Sequence, residues 1–233
     1  MIINIQRGVF GGLLRNGDLL GVCNVIEHLR QHNPELQFHL LPESMSDQPY
    51  VKDFFNFLTT ICDYFSIEQG TEQLLWKNVN LWDYRDIAGD IGVLKNTLQT
   101  EKKIVVFPLN DAPYNNYRNW PSNLLTEILT GIDNNEKYKD YTKIVCVNKD
   151  TGNVSGWEIS TNMVDNLKHI MTAETFIGGE TGTSIFASML DRGPQDLLYF
   201  YSSRALLATL PFNLLKGKGQ LNKYWLDMEG TTW

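Results

Sequence analysis

Apolar residues along this chain recur at two different spacings, and the spacing predicts which element each stretch forms. Ile2 to Ile5 is a short apolar run rich in β-branched residues and predicts a strand. Turn residues close it: Gly8, Gly11 and Gly12, then Asn16-Gly17-Asp18. From Leu19 the positions Leu19, Val22, Cys23, Ile26 and Leu29 repeat at helical intervals until Asn33-Pro34 breaks the pattern. Leu36 to Leu41 predicts a second strand. A strand, helix, strand succession favours parallel pairing, because the helix supplies the long crossover that parallel strands need.

Further along, Val51 to Phe65 predicts a helix, Val79 to Trp82 a short strand and Ile87 to Leu98 another helix. Ile104 to Phe107 is a compact strand run closed by Pro108, and a polar, aromatic loop follows from Asn110 to Trp120. Pro121-Ser122 opens a helix through Leu129, since proline suits a first helical turn. Ile144 to Val147 predicts a strand, Thr161 to Met171 a helix, Phe176-Ile177 a strand end, Thr183 to Leu190 a helix and Leu197 to Tyr201 a strand. The segment Gly217 to Trp233, with Trp225 and Trp233, is expected to pack back across the first half or against a partner. The class is α/β. The polar stretch Gln99 to Lys103 divides it into residues 1–100 and 101–233, two doubly wound halves. A ligand would then lie in the crevice at the carboxyl ends of their strands.

Composition narrows the function. In 233 residues, 42% are apolar and 20% charged, which fits a globular chain and excludes disordered and fibrous classes. No run approaches the roughly 18 apolar residues of a membrane span. The first residues lack the basic and apolar signature of a secretory signal, so a cytoplasmic location is expected. Twenty Lys and Arg against 27 Asp and Glu give a net charge of −7. That balance disfavours nucleic acid as a partner, although a basic face around Arg15, Arg30 and Lys52 stays open. The three cysteines are scattered and the four histidines form no HExxH motif, so neither a disulfide frame nor a metal site is expected.

Three loops fall at predicted strand ends. In the last, Gly178 and Gly179 let the backbone approach a ligand, and Thr181, Gly182, Thr183 and Ser184 lead into an apolar helix. The unpaired N–H groups and positive dipole end there suit a diphosphate, with the hydroxyls adding hydrogen bonds. Glu180 would repel phosphate but accept hydrogen bonds from sugar hydroxyls. A tight turn with a capped helix needs the same residues. In the first loop, Asp18 before a helix suits a general base, and also suits an N-cap. Arg15 beside it would neutralise phosphate or be solvated. In the middle loop, Arg118 offers a planar fork to a leaving phosphate, or packs its stem on Trp120 or Tyr117. Tyr114, Tyr117 and Trp120 would stack on a base or sugar, or pack the loop.

Three segments, in order, resemble the ADP-heptose lipopolysaccharide heptosyltransferase family. LLRNGDLLGVCNVIEHLRQHNPELQFHLL is similar to its amino-terminal Gly-Asp signature, KIVVFPLNDAPYNNYRNWP to its proline loop and basic-x-Trp-Pro segment, and FIGGETGTSIFASML to its Asp-Thr-Gly loop. The resemblance implies two Rossmann-like domains of GT-B type, with parallel sheets covered by helices on both faces. The first would be the acceptor side and the second would hold a nucleotide-diphosphate sugar. It implies inverting transfer to a carbohydrate or other hydroxyl acceptor, with no cofactor and no required metal. On matching positions Asp18 takes the base, Arg118 faces the donor phosphates, and Thr181 and Gly182 contact them. Gly12, Arg15 and Gly17 would line the acceptor or phosphate side. Glu180 stands where the family has Asp, and Ile185 where it often has His. Two alternatives share the fold: transfer to a modified base in DNA, as in compact viral glycosyltransferases, and a non-catalytic nucleotide-sugar-binding protein.

Overall fold

The computed structural model describes residues 2–5, 14–35, 37–40, 45–62, 65–66, 74–76, 94–108, 120, 122–147, 156–179, 181–201 and 222–227. Contacts divide the chain into two units. One comprises Met1–Asn96, Ser188–Asp191 and Leu210–Gly219; the other comprises Thr97–Ala187, Arg192–Thr209 and Gln220–Trp233. Every described strand pair is parallel, and the class is α/β.

The first unit opens with β1 (Ile2–Ile5), α1 (Asn16–His32), β2 (Gln37–Leu40), α2 (Pro49–Ile61), β3 (Phe65–Ser66) and β4 (Leu74–Trp76). Its four strands lie in the order β3-β2-β1-β4. In α2 the buried residues Val51, Phe54, Phe55 and Leu58 follow the i, i+3, i+4, i+7 stripe of a half-covered helix, and Pro49 sits in its first turn. α2 lies against α1, whose Leu19, Leu20 and Cys23 are buried. The expected strand at 79–82 lies outside the described residues, as do 87–93 of the expected helix ending at Leu98. The end of that helix is corrected: Leu94 makes a parallel bridge to Leu190, with Leu94 N–H donating to Met189 O and Asp191 N–H to Leu94 O. Asn96 N–H then donates to Asp191 Oδ1 at 2.7 Å. A strand-like contact with a distant segment takes the hydrogen bonds that a helix would have made locally.

The second unit holds β5 (Glu101–Phe107), α3 (Ser122–Asp133), a 3-10 turn at Glu136–Tyr138, β6 (Thr142–Cys146), β7 (Glu158–Ser160), α4 (Met163–Thr172), β8 (Ala173–Gly178), the first turns of α5 (Gly182–Met189), β9 (Asp196–Tyr201) and β10 (Asn222–Asp227). Its six strands lie in the order β10-β9-β8-β5-β6-β7. Counted along the chain this is 6-5-4-1-2-3, the Rossmann-like order. The expectation for the carboxyl-terminal segment is corrected for its described residues: Asn222–Asp227 does not lie across the first half but adds an edge strand to the second unit's sheet, with Trp225 beside Tyr199.

Strand alternation assigns the faces. Ile104 and Val106 of β5 join Val145, Ile177 and Phe200 in one buried cluster with Leu124, Leu129 and Ile132 of α3. Ile132 explains why α3 runs a turn past Leu129. At its end Asp133 accepts from Lys143 Nζ at 2.6 Å and from Trp157 Nε1 at 3.3 Å, and the Lys143 bond holds its carboxyl below the ordinary range. Residues between those positions point the other way. There Lys103 Nζ donates to Thr172 Oγ1 of α4 at 2.6 Å and pairs with Glu101 at 2.8 Å. Helices α3 and α4 thus cover opposite faces. Asn162 caps α4, its side chain accepting from the N–H groups of Val164 and Asp165.

Burial foremost, then the Lys103 ammonium, holds the His169 imidazole below its ordinary pKa of 6.5, against the opposing pull of Glu158, Asp165 and Glu101. The unfolded chain then binds this proton more readily than the folded one. His169 therefore leaves stability whole above about pH 6.5 and lowers it as the pH falls through and below that value. His169→Gln should flatten that part of the acid slope in thermal denaturation. Parallel slopes for the two proteins would reject the assignment.

Among the described residues, no helix is long and apolar enough to cross a membrane.

Candidate functional site

The strand order locates the site. In the second sheet β5 and β8 are neighbours, but the chain leaves β5 toward β6 and β7, and leaves β8 toward β9 and β10. Connections on the two strands diverge, and the carboxyl ends of strands at such a point are where open α/β sheets bind ligands. Val106 pairs with Ile177 and Phe107 with Gly178, so the two strands end level. The loop from Pro108 and the loop from Gly178 both leave from this point.

Gly178 is required there by close packing. A Cβ on it would fall 2.6 Å from Ser184 Oγ and 2.7 Å from ring atoms of Phe176. Beyond it the chain turns on itself: Thr181 N–H donates to Gly179 O at 2.9 Å, and the N–H groups of Ser184 and Ile185 reach Thr181 O at 3.2 Å. Thr181 caps α5, with Oγ1 accepting from Ser184 N–H at 3.3 Å and lying 2.6 Å from Thr183 Oγ1. Ser184 Oγ donates to Gly179 O.

These hydroxyls differ in exposure. Thr183 and Ser184 are buried and bonded within the loop, whereas Thr181 and Gly182 are half-buried and meet solvent. The backbone N–H groups of Gly182 and Thr183, in the first turn of α5, have no acceptor among the described residues. That turn presents donors and a positive dipole end, the requirements for an anion.

The structure brings together Gly178, Gly179, Thr181, Gly182, Thr183 and Ser184. Glu180, Arg118 and Gly12 lie outside the described residues, as do Tyr114 and Tyr117. Arg15 and Gly17 are half-buried at the start of α1 in the first unit. Asp18 does not precede that helix: α1 begins at Asn16, and Leu19 N–H donates to Arg15 O, so Asp18 is the third residue of the first turn. Arg15 rather than Asp18 holds the capping position. A carboxylate in the first turn is favoured by the helix dipole.

Of the two roles open to Trp120, stacking on a ligand or packing, the structure shows packing. It is buried, and its ring meets Phe200 edge-on at 4.9 Å. Among the described residues three buried side-chain atoms lack a hydrogen-bond partner: Asn16 Oδ1, Trp120 Nε1 and Thr175 Oγ1. Sequence reasoning missed Phe200 as the support of Trp120, because β9 and the loop before α3 meet only through the sheet order. No three His, Cys, Asp or Glu side chains cluster as metal ligands among the described residues.

No family model, no curated protein and no solved structure matches this chain. The strand order and the loop geometry therefore carry the functional reading.

Proposed function

We propose that the chain is a glycosyltransferase that moves a sugar from a nucleotide-diphosphate donor to an acceptor hydroxyl, with inversion and without a required metal. The observation that carries this reading is the Gly178 to Ser184 turn at the switch point of the second sheet, where the N–H groups of Gly182 and Thr183 have no acceptor among the described residues. The resemblance of three ordered segments to the heptosyltransferase family supplies the donor class and the direction of transfer. The first sheet, in the order β3-β2-β1-β4, supports a second Rossmann-like domain and hence a GT-B arrangement.

In this reading the acceptor hydroxyl attacks the anomeric carbon from the face opposite the diphosphate. The new carbon–oxygen bond forms as the bond to the diphosphate breaks, and Asp18 takes the hydroxyl proton. Charge accumulates on the departing diphosphate. Arg118, Thr181 and the first N–H groups of α5 stabilise it most in the transition state, so they act on turnover as well as on binding. Glu180 accepts from sugar hydroxyls, and Gly12, Arg15 and Gly17 line the acceptor side.

A thermal-shift panel of UDP-, GDP-, ADP- and CMP-sugars tests the donor. A ligand at a hundredfold over its Kd adds about 2.7 kcal/mol to the native state. In a chain of this size that corresponds to a rise of about 5–10 °C. Thr181→Ala should lose most of that ligand-induced rise. A panel in which no nucleotide sugar moves the midpoint would sink the proposal.

One observation favours a second reading. Ile185, standing where the family often carries His, is buried in α5 and offers no polar group to a ligand. A protein that binds nucleotide sugar without transferring it would tolerate that residue. Donor binding with no transfer or hydrolysis would select this reading.

A further inference from the structure

The amino-terminal end of α1 lacks the side chain that ordinarily closes a helix. Leu19 N–H donates to Arg15 O, so Arg15 holds the capping position, and a guanidinium has no oxygen to offer the second and third N–H groups of the turn. Those groups, on Gly17 and Asp18, have no acceptor among the described residues. Asn16, a residue type suited to capping, stands one place too late to serve them. It is the first residue of the helix, and its Oδ1 is buried without a hydrogen-bond partner.

The fold fixes where that oxygen lies. Asn16 is 9% exposed and heads the buried stripe Asn16, Leu19, Leu20 and Cys23, at i, i+3, i+4 and i+7. Helical side chains lean toward the amino end, so the carboxamide of a first residue projects in front of the first turn, where the open N–H groups also face. Leu14 makes a parallel bridge to Met45, with Ser46 N–H donating to Leu14 O at 3.0 Å. Leu14 follows β1 and Met45 follows β2, so α1 begins beyond the carboxyl ends of those strands. In the order β3-β2-β1-β4 the chain leaves β1 toward β2 and β3 and returns to β4 on the other side. The start of α1 therefore belongs to the switch point of the first sheet.

We propose that Asn16 is a ligand-contacting residue that selects a hydroxyl: its Oδ1 accepts from a sugar hydroxyl whose oxygen accepts in turn from the Gly17 or Asp18 N–H. The sugar class rests on the transferase reading above, and the need for a hydroxyl rests on the geometry. Two unmet donors alone would suit an anion, but a fully ionised anion carries acceptors only and leaves Oδ1 unserved. A hydroxyl donates and accepts at once, so it satisfies both. A buried acceptor without a partner lowers stability, and leucine would fill the same position without that penalty.

In 1H–15N spectra of the wild-type chain, methyl α-D-glucopyranoside, methyl α-D-mannopyranoside and methyl β-D-galactopyranoside are added separately at millimolar concentration, with sulfate as the anion. At least one glycoside should move the Gly17 or Asp18 amide signal downfield and shift the Asn16 side-chain amide, whereas sulfate should not. Asn16→Leu keeps the volume and removes the acceptor. Its affinity for that glycoside should fall about tenfold or more, while the thermal midpoint of the free protein stays level or rises. No response to any of the three glycosides would overturn the inference, the open groups then being served by water. So would sulfate moving these signals further than any glycoside does, or an Asn16→Leu variant that loses stability but keeps its affinity. Glycoside binding in a protein that no nucleotide sugar stabilises would sink the transferase reading and leave this site standing. Nucleotide-sugar binding without a glycoside response would do the reverse.

Discussion

Gly178→Ala is expected to destabilise the protein by about 1–3 kcal/mol, the range for forcing an extra methyl into a filled site. The added Cβ would press on Ser184 Oγ at 2.6 Å and on the Phe176 ring at 2.7 Å. Neither neighbour yields easily. Phe176 is fully buried, and Ser184 Oγ is held by Gly179 O at the start of α5. Relief therefore comes by moving α5 away from β8, which displaces the N–H groups that would hold the diphosphate. The thermal midpoint should drop by several degrees, and the nucleotide-sugar shift should shrink with it. A variant with wild-type midpoint and wild-type ligand response would show that the turn is looser than its contacts imply.

Asp18→Asn is expected to lower turnover roughly 100-fold or more while donor binding persists, as loss of a general base does. The substitution preserves shape and removes the proton acceptor, so folding should be little affected. Asp18 belongs to the first turn of α1 in the first unit, and the Gly178 to Ser184 turn belongs to the second unit. Under the proposed function the two variants separate two steps: Thr181→Ala is expected to act on donor binding and Asp18→Asn on the chemical step. Unchanged turnover in Asp18→Asn would remove this residue from the role.

Local periodicity made the helices legible. The stripe in α2, the β-branched run at Ile104 to Val106 and the proline before α3 each state their element within a few residues, because each reflects which face is buried. What depends on distant partners was not legible. Leu94 to Leu98 has apolar spacing compatible with a helix, yet the backbone of Leu94 bonds to Met189 and Asp191, residues 95 and 97 positions away. β10 carries aromatic and β-forming residues in Tyr224 and Trp225, a signal that was present, but β9 as its partner emerges only from the sheet order. The same holds at the site. Gly178 and Gly179 announce a close backbone approach, whereas the switch point between β5 and β8 is a property of six strands together.

The division of α5 between the two units bears on how this chain can be dissected. Its first turns belong to one unit, while Ser188–Asp191 belong to the other and supply the backbone groups that Leu94 engages. A fragment cut at Asn96 would leave Leu94 without those acceptors and donors, and the complementary fragment would carry an orphaned stretch at 188–191. Genetic separation of the two units is thus better attempted with point variants, or by co-expressing the pieces, than by truncation.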